Sequence, residues 1–366
     1  MAERSALVYD ERCVLHAPPP GVPGIPLPPW ATVETFERPE RLLRTRQVLE
    51  GSGVLAHVDE LPARFATEGE LRLAHTPEHV ERVLAAARSE DGVQLGHEAW
   101  TGPGTHDAML LAAGGLLEAV AAVLDGHNRN AFALLRPPGH HAERAAAMGF
   151  CLFNNTAIAA RWAQRERGLA RVAIVDWDVH HGNGTEEIFL DDPSVLTVSL
   201  HQDALYPADT GGLDVRGADG ANVNVPLPAS TGDAGYAHAF DDVVAPVVRR
   251  FAPDLLLVGA GQDASATDPL GRMSVTVPGY RALTDRAVAL AAELCGGRLV
   301  AALEGGYSLM HLPLCNLSIL EGLAGLEPRF PADPIGADVP HGLRDVERDA
   351  IAVAAATHEV ADRNGV

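Results

Sequence analysis

Residues 171–185 read RVAIVDWDVHHGNGT, and the abrupt change in the middle of that stretch limits the folds open to the chain more than any other feature. Val172, Ala173, Ile174 and Val175 form a short continuous apolar run, the pattern of a parallel strand covered by helices on both faces. The run stops at Asp176, Asp178, His180 and His181, and Gly182 and Gly184 flank Asn183. The strand therefore passes into a tight polar loop before a helix expected over 185–190. In open α/β sheets ligands bind just outside the carboxyl ends of the strands, which is where these polar groups fall. Asp176, Asp178 and His180 also alternate at period two, so an extended backbone turns all three to one side. Such groups repel or go unsatisfied unless a cation lies among them, and aspartate oxygen and neutral imidazole nitrogen are ordinary zinc ligands. The plainer reading of the same residues is a hydrogen-bonded turn capping the next helix.

The pattern repeats along the chain. Apolar runs over 6–9, 131–135, 195–200, 254–259 and 299–303 read as further strands. Helical patterns over 39–50, 76–87, 104–124, 156–167, 232–250, 278–295 and 308–323 alternate with them. That alternation predicts a parallel sheet flanked by helices, an α/β fold built as a single domain over 1–366. A C-terminal helical tail is expected from about 327 to 366, with a last helix over 344–360. Two stretches resist regular structure. The Pro-rich segment 17–30 reads as a stiff loop at a site rim, and 203–222 is a Gly/Asp-rich excursion. His75 and His79, near the helix over 76–87, read as structural rather than as ligands.

Composition narrows the function. With 366 residues, 47% of them hydrophobic, the chain can bury a large core. It has no uninterrupted apolar run of about 18 residues or more, and its start lacks the basic-then-apolar layout of a secretion signal. The expectation is a cytoplasmic protein with no membrane partner. A formal net charge of −21 argues against direct nucleic-acid binding and favours cationic partners through long-range steering. Cys13, Cys151, Cys295 and Cys315 contain no C-x-x-C pair, so they read as packing residues rather than a thiolate metal site.

Polar groups suited to one metal hydrolase follow four strands: His140 and His141, then Asp176, Asp178 and His180, then Asp263, then Tyr307. The segments that carry them, RPPGHHA, VDWDVHHGNGT, GAGQDASATDPLG and LEGGY, together with MGFCLFNN, resemble the histone deacetylase family, closer to its class II and bacterial deacetylase-like members. The match runs in the family's order over nearly the whole chain, from about Thr76 to the helix after Tyr307. The resemblance implies the arginase/deacetylase fold, with a central, mostly parallel sheet of about eight strands. It implies a zinc-dependent amidohydrolase that removes an acetyl group from acetyl-lysine or a similar extended amine.

The same resemblance distributes roles. Asp178, His180 and Asp263 become the zinc ligands, while Asp176 is reassigned to a hydrogen bond with His140. His141 becomes the general base and later the general acid, His140 is mainly electrostatic, and Tyr307 donates to the substrate carbonyl oxygen. Asn183 stands where some members carry aspartate. It is expected to hold the Nδ1 proton of His141 without adding charge, leaving His141 neutral near pH 7. Gly149, Phe150, Tyr206 and Leu270 are expected to line a narrow acyl-lysine tunnel; for Phe150 and Tyr206 ordinary core packing is the alternative. A potassium ion is offered the carbonyls of Asp176, Asp178, His180 and Leu200 and the hydroxyl of Ser199. The partner is then an acetylated lysine peptide or a small acetylated amine, and a homo-oligomer is left open. Three competing readings stand beside this one: an acetylpolyamine deacetylase, a silent acyl-lysine-binding module and a ureohydrolase. Polyamine-selective relatives carry a glutamate where this chain has Leu270, which weighs against the first.

Overall fold

The computed structural model describes residues 4–18, 35–89, 91–336, 339 and 342–359. The strands are β1 (Ser5–Tyr9), β2 (Val58–Leu61), β3 (Gln94–Gly96), β4 (Ala99–Trp100), β5 (Ala131–Leu134), β6 (Val172–Asp176), β7 (Val195–Gln202), β8 (Asn222–Leu227), β9 (Leu255–Ala260) and β10 (Leu299–Leu303), and the apolar runs account for β1, β5, β6, β7, β9 and β10. Eight of them form one sheet in the order β2-β1-β5-β10-β9-β6-β7-β8, with every neighbouring pair parallel. β3 and β4 make a separate antiparallel hairpin. Strands β5, β6, β7, β9 and β10 are buried at every residue, which is why their sequences show apolar runs rather than alternation.

The helices are α1 (Glu40–Ser52), α2 (Glu68–Leu71), α3 (Pro77–Ala86), α4 (Thr105–Leu124), α5 (Asn155–Arg167), α6 (Asn183–Phe189), α7 (Asp233–Ala239), α8 (Ala245–Phe251), α9 (Val277–Cys295), α10 (Leu312–Ala324) and α11 (Asp345–Thr357). Their starts follow local chemistry. Thr76, Asn154 and Thr276 cap α3, α5 and α9 by accepting a backbone N–H from His79, Ala157 and Gly279. α4, α5 and α6 pack in one layer, and α1, α10, α9, α7 and α8 in another. Both layers close on a single cluster of buried apolar side chains. α4 is long and apolar enough to cross a membrane, but 72% of that window is buried inside the protein, as befits a core helix.

Several elements differ from the sequence reading. β2 and β8 went unread because they are the two edge strands and carry polar residues, VDEL and NVNVPL. The helix expected over 232–250 forms as one continuous helical path, α7, a π-helical turn over Phe240–Val244 and α8; Pro246, at the start of α8, has no N–H to continue the ordinary ladder. α10 begins at Leu312 rather than 308. The tail folds back: α11 packs on β8, and His358 Nε2 lies 3.0 Å from Asn224 O. An edge that would otherwise be open is covered. The Pro-rich reading falls on residues 17–30, of which 19–30 lie outside the described residues.

Candidate active site

The parallel sheet delivers the chemistry to one edge. Asp178 and His180 follow β6, Asp263 follows the neighbouring β9, His140 and His141 follow β5, and Tyr307 follows β10. Asp178, His180 and Asp263 are buried, and one ligating atom from each falls within 4.8 Å of the others. His180 Nδ1 is 3.1 Å from Asp178 Oδ1 and 3.0 Å from Asp263 Oδ2. Backbone donors hold both carboxylates: Gly305 N–H donates to Asp178 Oδ2 at 2.7 Å, and Val179 N–H to Asp263 Oδ1 at 2.8 Å. At Gly305 a Cβ would stand 2.0 Å from Asp263 Oδ2 and 2.5 Å from Asp178 Oδ2, so only glycine lets β10 approach this closely.

Electrostatics marks the place as one built for a cation. Burial, and then the charge of Asp178, push the Asp263 carboxyl up to about 6. Burial alone would push the His180 imidazole down, but its bonds to Asp178 and Asp263 bring it up to about 10. Two carboxylates in a dry site and one imidazole facing them are a donor set that fits zinc, which takes oxygen and nitrogen ligands and in catalytic sites keeps an open position. Asp176, grouped with Asp178 and His180 by its period, turns elsewhere. Its Oδ2 lies 2.9 Å from His140 Nδ1. A carboxylate only accepts, so that nitrogen carries the proton.

Next to it, Asn183 Nδ2 donates to Glu143 Oε1 at 2.9 Å, which leaves Asn183 Oδ1 to accept from His141 Nδ1 at 2.8 Å. His141 Nε2 is thereby left as the acceptor. The two rings are 4.0 Å apart. Burial lowers both, but the charges of Asp178 and Asp176 carry His140 well above the usual histidine value. His141 has no such support. Burial, then the charges of His140 and His180, hold it well below the usual value. One edge of the site thus has a cationic imidazole beside a neutral one.

A cavity of about 220 Å³ reaches this edge, and His141, His180, Gly149, Phe150, Tyr206, Leu270 and Tyr307 line it together with His97, Glu98 and Leu205. Phe150 meets the edge of Tyr307 with ring centroids 5.7 Å apart, and Tyr206 meets His141 at 5.1 Å and His180 at 6.1 Å. Both aromatic side chains border the cavity instead of filling the core. The Tyr307 hydroxyl stays protonated, since burial raises it well above the usual tyrosine value. Of the residues named for potassium, Asp176 and Ser199 are paired across β6 and β7, Leu200 is buried in β7, and Ser199 Oγ lies 2.9 Å from His201 Nδ1. His75 and His79 make structural contacts: His75 Nε2 accepts from Asn154 N–H at 2.8 Å, and His79 Nε2 lies 2.9 Å from Leu152 O.

Residues 35–323 match the histone deacetylase domain. The chain belongs to the histone deacetylase family. It is 40% identical over 333 residues to the histone deacetylase-like amidohydrolase of Pseudomonas aeruginosa, covering 89% of this chain and 87% of that one. It is 43% identical over 298 residues to a probable deacetylase of Archaeoglobus fulgidus, covering 80% and 82%. The crystal structure of the HDA15 HD domain superposes with a TM-score of 0.84 at 35% identity, covering 97% of this chain and 94% of that one. The chain therefore has the arginase/deacetylase fold and is a hydrolase of the deacetylase or amidohydrolase type.

Several residues of this deacetylase-family site had no role in the sequence reading. Glu304 is buried behind the histidine pair, and its Oε2 accepts from Gly139 N–H at 2.7 Å and His140 N–H at 3.1 Å. Asp268 Oδ2 accepts from Tyr307 N–H at 2.6 Å and Ser308 N–H at 3.1 Å. Arg41 of α1 donates to Gly306 O at 2.6 Å and to Glu304 O, and its guanidinium lies 4.9 Å from the centre of the Tyr307 ring. Glu37 joins Arg41 to Arg136, which grips it through two bonds of 2.5 and 2.6 Å. Glu304 and Asp268 stood inside quoted motifs, but Arg41 looks like the solvent face of a charged helix and Glu37 like part of the polar stretch before it. Nothing local distinguishes them.

Proposed function

We propose that the protein is a zinc-dependent deacetylase acting on acetyl-lysine or a similar extended amine. The observation that carries this reading is the meeting of Asp178, His180 and Asp263 in one buried group, with His180 of that group lining a cavity that His141 and Tyr307 also line. Asp178, His180 and Asp263 would hold the zinc, which when bound would supply a Lewis acid and lower the pKa of water to near neutrality. The remaining work belongs to the chain. His141 Nε2, kept unprotonated by the bond from its Nδ1 to Asn183, takes a proton from the attacking water and returns it to the leaving amine. His140, its Nδ1 proton held by Asp176, places positive charge beside the reacting carbon. The Tyr307 hydroxyl donates to the carbonyl oxygen as negative charge develops on it, and Arg41 and Asp268 hold Tyr307 in place for that task. Phe150 and Tyr206 give the aliphatic stem apolar walls, and Leu270 keeps the lining apolar.

A second reading, a small acetylated polyamine as substrate, has one observation behind it. Glu98 lines the same cavity and is exposed, so it offers a carboxylate to a second ammonium. Turnover of an acetyl-lysine peptide and of acetylspermidine, each with and without a chelator, separates the cases. The expected result is hydrolysis of the peptide that the chelator abolishes and added zinc restores. A clear preference for acetylspermidine would move the assignment to the second reading. A zinc-loaded protein that hydrolyses no acyl-amide would end both.

A further inference from the structure

Tyr206 lies on the irregular segment between β7 and β8, yet its ring is set edge-on against His141 and His180. A polar network behind the active site accounts for that placement. Thr210 Oγ1 donates to Pro207 O at 2.8 Å, one residue from Tyr206. With that proton committed, the oxygen accepts from His181 Nδ1 at 3.0 Å. The next residue, Gly211, has φ +74°, and a Cβ there would stand 2.5 Å from His201 Nε2 and 2.9 Å from His181 Cγ. Gly211 is thus wedged against two imidazoles in a conformation that side chains rarely adopt. His201 Nε2 lies 3.1 Å from Gly211 O and donates to it, while its Nδ1 pairs with Ser199.

Glu186 Oε2, 3.3 Å from His181 Nε2, accepts from both Asn222 Nδ2 and Asn224 Nδ2 at 2.7 Å. The same two amides donate to Val215 O at 2.8 Å and Gly212 O at 3.1 Å. The middle of the segment, from Thr210 to Val215, is therefore fastened to one set of side chains, and one member of that set, His181, is the chain neighbour of His180.

We infer that Thr210 and Gly211 are positioning residues for Tyr206: their seat on His181 and His201 holds the wall of the cavity against which the substrate's extended stem lies. The inference rests on the deacetylase reading of the site. Loss of the seat removes binding that is equal in the ground and transition states, so it raises KM and leaves kcat in place. The test compares Thr210→Val, Thr210→Ser and Gly211→Ala with the zinc-loaded wild type on an acetyl-lysine peptide, with Tm and zinc content measured alongside. Thr210 is exposed, so the first two substitutions leave the core untouched. Thr210→Val and Gly211→Ala are expected to raise KM by about tenfold with kcat within about twofold and zinc content unchanged. Thr210→Ser, which keeps the hydroxyl, is expected to restore the wild-type KM. Wild-type KM in both Thr210→Val and Gly211→Ala, or a fall in kcat that tracks lost zinc, would overturn the inference while the deacetylase reading stands. A wild type inert on the peptide would overturn both.

Discussion

At His141 one neighbouring side chain decides what the ring can do. Asn183 Oδ1 takes the Nδ1 proton but brings no charge, and burial then holds the imidazole well below its usual value. A base of that kind stays neutral through pH 7. Asn183→Asp is expected to raise the His141 pKa, so that more of the ring is protonated and the acid limb of the kcat/KM profile moves toward neutrality. Activity at pH 6 should then fall relative to pH 8, and a profile that does not move would show that Asn183 has no hold on the proton. Tyr307→Phe is expected to lower kcat by roughly 10²-fold or more, as loss of an oxyanion donor does, with zinc content near wild type by metal analysis. At this scale the sequence was informative where a residue type has few uses. Paired histidines after a strand and aspartates at period two are of that kind, whereas Glu304, a buried carboxylate, has the same letter as any surface glutamate.

Among elements, α1 does more than cover the sheet. Arg41 reaches from it to the backbone at the end of β10 and places its guanidinium against Tyr307, and through Glu37 it joins Arg136, the residue that opens the His140–His141 loop. Arg41, Glu37 and Arg136 are each at most 1% exposed. Arg41→Met leaves Glu37 paired with Arg136 but takes the donor from the buried Gly306 and Glu304 carbonyls, and is expected to cost about 1–3 kcal/mol of stability, read from the shift in urea midpoint. It should also lower kcat, because the Tyr307 backbone loses its support. A variant with wild-type midpoint and rate would remove Arg41 from that role. The central strands were legible because burial on both faces writes an unbroken apolar run. The edge strands β2 and β8 were not: β2 is mostly only half-buried or exposed, and in β8 the buried Asn222 and Asn224 interrupt the apolar run.

For the whole molecule, buried titratable groups set the response to acid. Burial lowers His16 to about 4 and His75 and His201 to about 3, so each is neutral in the folded protein and takes a proton on unfolding below pH 6.5. Stability from these groups is full above 6.5 and is lost as pH falls. Burial raises Glu304 and Asp268 to about 7, so these bind protons first in the folded state and oppose that loss down to their ordinary values of 4.5 and 3.8. Glu37, carried down to about 2 by Arg136 against the effect of burial, adds stability above 4.5 that is lost toward pH 2. Three histidines against two carboxyls leave a shallow net loss of stability between pH 6.5 and 4.5 and a steep fall below, as urea midpoints from pH 3 to 7 would test. A steepest fall near pH 6 would contradict it. The amino-acid sequence by itself determined the α/β class, the strand ends that carry chemistry and the kinds of ligand present, because apolar periodicity and ligand chemistry are local properties. Spacing alone grouped Asp176 with Asp178 and His180, and the family resemblance put Asp263 in its place; the physical reason for that choice lies only in three dimensions. β9 lies beside β6 in a parallel sheet and brings Asp263 to the group, while β5, two strands further along, brings His140 to take up Asp176. Strand order follows from burying both faces of one sheet at once, a condition on the whole chain that no single stretch of it can express.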